Sequence, residues 1–218
     1  TLGKHNDVLN NYQFKHLHFK NSLGTDLIVE LVKDHVWAGG REHSTKGVAF
    51  NPNIPTEESF TMPNKPGTRG KVYATKPLDY QGNLIDGFWL EFKDGKVVDY
   101  DAKAAKDALT NILEFDEGAR YIGEIALIQH DSPIQNTGLL FYNTLFDENA
   151  SCHMALGRAY PMNVKGGTSM SQEQLDKAGA NNSMTHVDFM FGSADLDVTG
   201  VTHDGEEVPV MVQGNFVI

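Results

Sequence analysis

The sequence contains one cysteine, Cys152, so no intrachain disulfide can form, and a reducing compartment fits that usage. No apolar run approaches the roughly 20 residues of a membrane-spanning helix. The opening Thr1-Leu2-Gly3-Lys4-His5 lacks the apolar centre of a secretory signal, so the cytoplasm is the expected location and no membrane is an expected partner. An initiating Met is also missing, and Thr1 in its place is what a fragment of a longer chain would show. Positive charge is scarce: 18 Lys and Arg stand against 29 Asp and Glu, a net charge of −11 with the nine His neutral. Such a surface repels a phosphate backbone, and no Lys/Arg cluster reverses it locally, so no nucleic acid is expected as a partner. Internal repeats, low-complexity tracts and linkers are missing as well. The nearest glycine cluster, Gly166-Gly167, has neither the spacing nor the following Lys of a phosphate-cradling loop.

What is present is an ordinary globular composition, with 40% hydrophobic residues and 21 Gly among 218. The pattern predicts one α+β domain over residues 1–218, β-rich and mainly antiparallel. Residues 4–23 carry Val8, Leu9, Tyr12, His16 and Phe19 at helical spacing, with Gly24 as a stop. Asp26–Lys33 reads as a strand, and the prolines of residues 51–68 predict a structured loop. A meander is expected over Gly70–Thr75, Leu84–Phe92 and Val97–Tyr100, with Asp94-Gly95 as a two-residue turn. Ala102–Phe115 places Ala105, Ala108, Leu109, Ile112 and Leu113 on one helical stripe. Ile122–Ile128 and Leu139–Leu145 read as buried strands, and Asn149–Gly157 as a short helix or turn. Ser171 with Gln174 forms a capping box for a helix ended by Gly179, and a last hairpin turns at Asp204-Gly205.

The most informative local pattern is THVDFMF at residues 185–191. Strand alternation puts His186, Asp188 and Met190 on one face and Val187, Phe189 and Phe191 on the other. An imidazole and a carboxylate two residues apart on a rigid strand can converge on one cation, although a polar strand face at the surface reads the same way. Glu57-Glu58 is a carboxylate pair that needs either a cation or solvent. Glu124 opens the apolar segment GEIALI, where burial demands a partner. His153 lies close in sequence to Asp147, Glu148, Cys152 and Tyr160. Glu148 and His153 are too far apart for one helical face, but a turn brings such residues together. Cys152 beside His153 is a weak nucleophile candidate, because catalytic Cys and His normally meet from distant segments.

Read together, NPNIPTEESFTMP, TKPL, DEGARYIGEIALI, SPI, FYNTLFDENASCHMALGRAYP and NNSMTHVDFMFGS resemble the thermophilic metalloaminopeptidases of the aminopeptidase T and PepS type, from about Leu9 to the C-terminus. The resemblance implies hydrolysis of the N-terminal peptide bond of peptides through a dinuclear metal site and a bridging hydroxide. It implies two divalent ions (Zn, Co or Mn) on Glu58, Glu124, His153, His186 and Asp188, with Glu148 as a further ligand or a supporting group. Tyr160 then sits beside the metals to stabilise the oxyanion, and Glu57 or Glu124 carries the proton. The implied partners are peptides with a free N-terminus and, in the full-length protein, a second subunit. Members of the family carry an additional N-terminal domain, so this chain resembles the C-terminal catalytic portion. The competing expectation is a β-rich interaction domain whose acidic cluster is structural.

Overall fold

The computed structural model describes residues 2–54 and 56–218. Helix α1 (Leu2–Tyr12) leads into β1 (His16–Lys20) and β2 (Asp26–Leu31), followed by a small hairpin of β3 (Glu42–His43) and β4 (Ala49–Phe50). Strands β5 (Ser59–Thr61) and β6 (Pro63–Tyr73) come next, then a second hairpin of β7 (Leu78–Tyr80) and β8 (Asn83–Ile85). The middle of the chain holds β9 (Trp89–Lys93), β10 (Lys96–Asp101) and α2 (Lys106–Leu113). After it, strands alternate with short helices: β11 (Ile122–Leu127), α3 (Thr144–Glu148), β12 (His153–Gly157), α4 (Gln172–Ala178) and β13 (His186–Met190). The chain closes on β14 (Asp197–Val201), β15 (Glu207–Val212) and β16 (Asn215–Phe216).

Two antiparallel sheets carry the fold, one of eight strands in the order β10-β9-β6-β2-β1-β14-β15-β16 and one of four in the order β13-β12-β11-β5. Their apolar faces share one core. Phe88 meets Phe189 edge-on at 5.3 Å and Phe19 meets Phe191 at the same distance, which ties β13 and the residue after it to the larger sheet. Each such ring, once fully buried, contributes roughly 1.5–3 kcal/mol. Local chemistry agrees with this arrangement. Asp94 and Gly95 both have positive φ, 51° and 79°, as a two-residue hairpin between β9 and β10 requires. Ser171 and Gln174 form a reciprocal capping box at the start of α4, and Gly179 ends that helix in the left-handed conformation.

The structure departs from the sequence reading in six places. The N-terminal helix stops at Tyr12, and His16–Lys20 is a strand whose Leu17 and Phe19 alternate into the core. Gln13, at φ 46°, breaks the helix that the apolar spacing suggested. The proline-rich stretch is irregular only at its start. Pro63 begins β6, and β2 skips from a Thr68 partner to a Pro63 partner, so the prolines sit where the ladder is already interrupted. Pro55 lies outside the described residues. Leu84–Phe92 is divided between β8 and β9, and the helix at 102–115 is trimmed to Lys106–Leu113 behind Ala105, which has positive φ. Leu139–Leu145 is exposed chain, irregular to Asn143 and then the first two residues of α3, rather than a buried strand, because the Asp147 carboxylate gathers the N–H groups of Phe141 and Asn143 and bends the chain into that helix. Asn149–Gly157 is a turn followed by strand β12, which is buried along its whole length and therefore shows no alternation.

Candidate metal centre

Strand register places the polar residues of the four-stranded sheet. Glu124 pairs with Ala155, and Ala155 pairs with Asp188 on its other side. Ala126 pairs with both His153 and Phe60, and Gly157 pairs with His186. Paired residues point to the same face, as do residues two apart along a strand. Glu124, His153, His186 and Asp188 therefore rise from one face, and Glu58, two residues before Phe60, enters from the end of β5. Small side chains at Ala126 and Ala155 leave room between them. The opposite face carries Ile125, Leu127, Met154, Leu156, Val187 and Phe189 and belongs to the core.

One irregularity makes this possible. Ile122 pairs with Leu156, yet Glu124 pairs with Ala155, so β11 carries one extra residue at Gly123. Without that bulge the regular register would set Glu124 opposite Met154 and turn its carboxylate into the core. Gly123 is required there, since a Cβ would lie 2.4 Å from the Gly157 carbonyl oxygen and 2.3 Å from the Arg158 carbonyl carbon.

The two imidazoles are oriented from behind. His153 Nδ1 donates to the Ser151 carbonyl at 3.1 Å and His186 Nδ1 to the Arg158 carbonyl at 2.8 Å. Both Nε2 atoms then face carboxylates: His153 lies 3.2 Å from Glu58 and 3.6 Å from Glu124, and His186 lies 3.8 Å from Glu124 and 3.4 Å from Asp188. Glu124 offers one oxygen to each imidazole. An Nε2 lone pair aimed at a carboxylate is repulsive unless a positive charge stands between them, either a second proton or a metal ion. Among the described residues, His153 Nε2 and Asp188 Oδ1 are buried without a hydrogen-bond partner. Ligand atoms of Glu58, Glu124 and His153 lie within 4.8 Å of one another. Roughly 3.4 Å separates neighbouring ligands around a cation bound at about 2.1 Å, so these separations suit a shared ion. The residues fit a divalent metal.

The electrostatics agree. Burial opposes charge on His153, but Glu124 and Glu58 outweigh it and hold its pKa well above the ordinary imidazole value. Burial likewise opposes charge on His186, yet Asp188 and Glu124 push its pKa up to about 9. Burial, reinforced by Asp188, raises Glu148 to about 8. Without a metal, protons supply the positive charge the carboxylates need. The cavity above the site measures about 290 Å³, and its lining includes Glu42, Glu58, Glu124, Glu148 and Asp188 with no Lys or Arg among the described residues. That excess of negative charge over two imidazoles calls for cations.

The other expected residues are distributed around this centre. Glu148 ends α3 and lines the cavity, as does Tyr160, whose ring lies 4.7 Å from that of His186 and whose hydroxyl pKa is pushed up to about 12 by burial and the surrounding carboxylates. Glu57 is not among the cavity-lining residues. Its N–H donates to the Asn149 side chain at 2.8 Å, which joins the β5 approach to the end of α3, and burial raises its carboxyl pKa. Cys152 points away from His153, into a buried contact with Ile128 and Met211, and burial pushes its thiol up to about 11. A thiolate nucleophile is not formed there. Sequence reasoning passed over the supports. The Asn181 amide donates to the carbonyls of Gly118 and Gly157, and Asp116 accepts from Ser183 and Met184, which fixes the chain entering β13 and hence His186. Asn181 and Asp116 belong to the quoted NNSM and DEGAR motifs, the one signal that marked this region.

Comparison with known proteins places this constellation in context. The thermophilic metalloprotease (M29) family model matches residues 1–216. Aminopeptidase 2 of Geobacillus stearothermophilus is 56% identical over 210 residues, covering 96% of this chain and 51% of the relative. Aminopeptidase T of Thermus aquaticus is 46% identical over 210 residues, with the same coverage of 96% and 51%. The chain thus spans about half the length of the curated relatives it matches. The structure of wild-type AmpT from Thermus thermophilus superposes with a TM-score of 0.92 at 42% identity, over 100% of this chain and 55% of that one. A 2,5-dihydroxypyridine dioxygenase from Pseudomonas putida shares the fold alone, with a TM-score of 0.65 at 16% identity over 99% of this chain and 59% of that one. With the family model spanning residues 1–216 and a relative 56% identical over 96% of the chain, the chain belongs to the thermophilic metalloprotease (M29) family.

Proposed function

We propose that residues 1–218 form the catalytic domain of a metal-dependent aminopeptidase that removes N-terminal residues from peptides at a two-cation site. The observation carrying this reading is the set of Glu58, Glu124, His153, His186 and Asp188 on one sheet face, with both Nε2 atoms aimed at buried carboxylates. These five residues would hold the ions, Glu124 with an oxygen toward each imidazole and Glu148 as a further ligand or a supporting group. Zinc, cobalt and manganese all suit carboxylate and imidazole donors. Divalent ions held by these residues would supply the Lewis-acid charge that lowers the pKa of a water nucleophile and polarises the scissile carbonyl.

The chain's own groups do the rest. Tyr160, kept protonated by its raised pKa, donates its hydroxyl to the oxyanion that develops on the carbonyl. The proton would pass to the leaving amine on a carboxylate that metal does not fully engage, with Glu57 and Glu124 the two candidates. The acidic lining attracts a free α-ammonium and repels a C-terminal carboxylate, which favours exopeptidase action from the N-terminus. A cytoplasmic location and a homodimer of full-length subunits belong to the same proposal; among the described residues no helix is long and apolar enough to cross a membrane.

The test is metal content per chain combined with hydrolysis of an N-terminal leucine anilide before and after chelation. Near two equivalents with chelator-sensitive cleavage is the expected result. Failure to take up zinc, cobalt or manganese would overturn the reading in favour of a structural acidic cluster, and preferential cleavage of phosphate esters would replace the substrate class.

A further inference from the structure

Helix α1 turns three amides toward one segment of chain. Asn6, Asn10 and Gln13, spaced four and three residues apart, share one side of the helix and its exit. Asn6 Nδ2 donates to the Gly39 carbonyl at 3.1 Å, and Gln13 Nε2 to the His35 carbonyl at 2.9 Å. Asn10 engages Trp37 twice, donating to its carbonyl at 3.0 Å and accepting from its N–H at 2.8 Å. The gripped residues are 35, 37 and 39, every second position of an extended strap. The positions between them face the opposite way. Ala38 exchanges two backbone bonds with Phe60, at 2.9 and 3.0 Å, while the Val36 carbonyl accepts from Thr61 Oγ1 at 3.0 Å and from Asn163 Nδ2 at 3.1 Å. The strap therefore continues the four-stranded sheet beyond β5, and the helix amides satisfy the edge that a further strand would otherwise pair.

The strap ends against a metal-site residue. Gly39, at φ 132°, lies so close to Glu58 that a Cβ would stand 2.0 Å from the Glu58 carbonyl oxygen, and Gly39 and Gly40 both line the cavity. Glu58 precedes β5 by one residue and has no strand register of its own to hold it. Its backbone lies against Gly39 of the strap, one residue before the Ser59–Leu127 pair that begins the pairing of β5 with β11.

We propose that Asn10 is a positioning residue of the metal centre: by clamping Trp37 it fixes the strap, and through Ala38, Phe60 and Gly39 it sets the place of Glu58. This rests on the reading of the site as a metal centre. A group that locks a ligand's backbone limits how far the ligand set spreads, and loosening such a support weakens metal affinity by roughly 10–100-fold.

The test is titration of the metal-free protein with cobalt(II), followed by visible absorption, for wild type, Asn10→Ala and Val210→Ala. Val210 is buried in β15 of the larger sheet, so its truncation lowers thermal stability without touching the strap. The expected result is that Asn10→Ala weakens cobalt affinity tenfold or more and alters the visible bands, while Val210→Ala lowers the melting temperature and changes neither. Wild-type affinity and spectrum in Asn10→Ala would overturn the proposal. If Asn10→Ala does not fold, Gln13→Ala releases the strap at His35 and is held to the same criterion. Absence of cobalt uptake by the wild type itself would overturn the metal reading rather than the strap's role alone.

Discussion

The two faces of the four-stranded sheet are built from the same strands and solve opposite problems. On the core face Val187 and Phe189 are packed among Ile125, Leu127, Met154 and Leu156, and every group there is apolar and satisfied. On the other face, one residue away in each direction, His186 and Asp188 join two glutamates and a second histidine in an arrangement that is buried but electrostatically incomplete. Folding free energy comes from the first face. The second is tolerated because the first is strong, and its incompleteness is what a cation answers.

Neighbouring substitutions on β13 break this comparison most sharply. Asp188→Asn should abolish metal-dependent activity, by about 1000-fold or more, while the metal-free protein melts within a few degrees of wild type. Phe189→Ala should cost roughly 3–5 kcal/mol of stability through the cavity it leaves. Paired activity assays and thermal melts of the metal-free proteins decide this, and equal destabilisation by both variants would favour the structural reading. Gly123→Ala tests whether the bulge separates the two faces. Its Cβ must displace the Gly157 and Arg158 backbone, costing roughly 1–3 kcal/mol as overpacking does, and metal affinity measured by competition with a chelator should fall with it. Tyr160→Phe sharpens the comparison within the polar face: kcat for a leucine anilide should fall about 100-fold, with metal content and melting temperature unchanged.

A smaller effect should appear with pH. His186 and Glu148 have folded pKa values raised to about 9 and about 8, above the 6.5 and 4.5 of the free groups. The folded metal-free protein therefore binds more protons than the unfolded chain between about pH 4.5 and 9. Stability from these groups is fully present below the unfolded values and is lost as pH rises through the folded ones. Melting temperatures of the metal-free protein should fall from pH 5 to 9, and added metal should flatten or reverse the trend, because binding displaces those protons. The smallest expected effect is none at all: the buried Cys152 should resist alkylation under native conditions, as mass spectrometry would show.

Much of this was legible in the sequence, for reasons that differ by region. The alternation in THVDFMF placed His186 and Asp188 opposite Val187 and Phe189, because a strand between a core and a site must alternate. Asp94-Gly95 and the Ser171 capping box declared themselves through local backbone chemistry. β12 did not, since a strand buried on both faces has no periodicity to read. Leu139–Leu145 misled for the reverse reason, because apolar residues there remain exposed while an aspartate bends the backbone. Glu58, Glu124 and His153 were legible together as candidate ligands only through resemblance. Their convergence depends on register, and the register of β11 depends on a one-residue bulge that no hydrophobic pattern announces.

The position of Ala155 between Glu124 and Asp188 has one further consequence. Adjacent strands stand roughly 4.8 Å apart, so the two carboxylate-bearing backbones are separated by two such steps, about 10 Å. A methyl group is all that rises between them. The peptide ladder thus acts as a ruler: the span that the two acidic arms must close is dictated by hydrogen-bond length, which no side-chain substitution elsewhere rescales. Only the reach of the arms is left to the sequence, and the pairing of a long glutamate with a short aspartate records how that reach is divided.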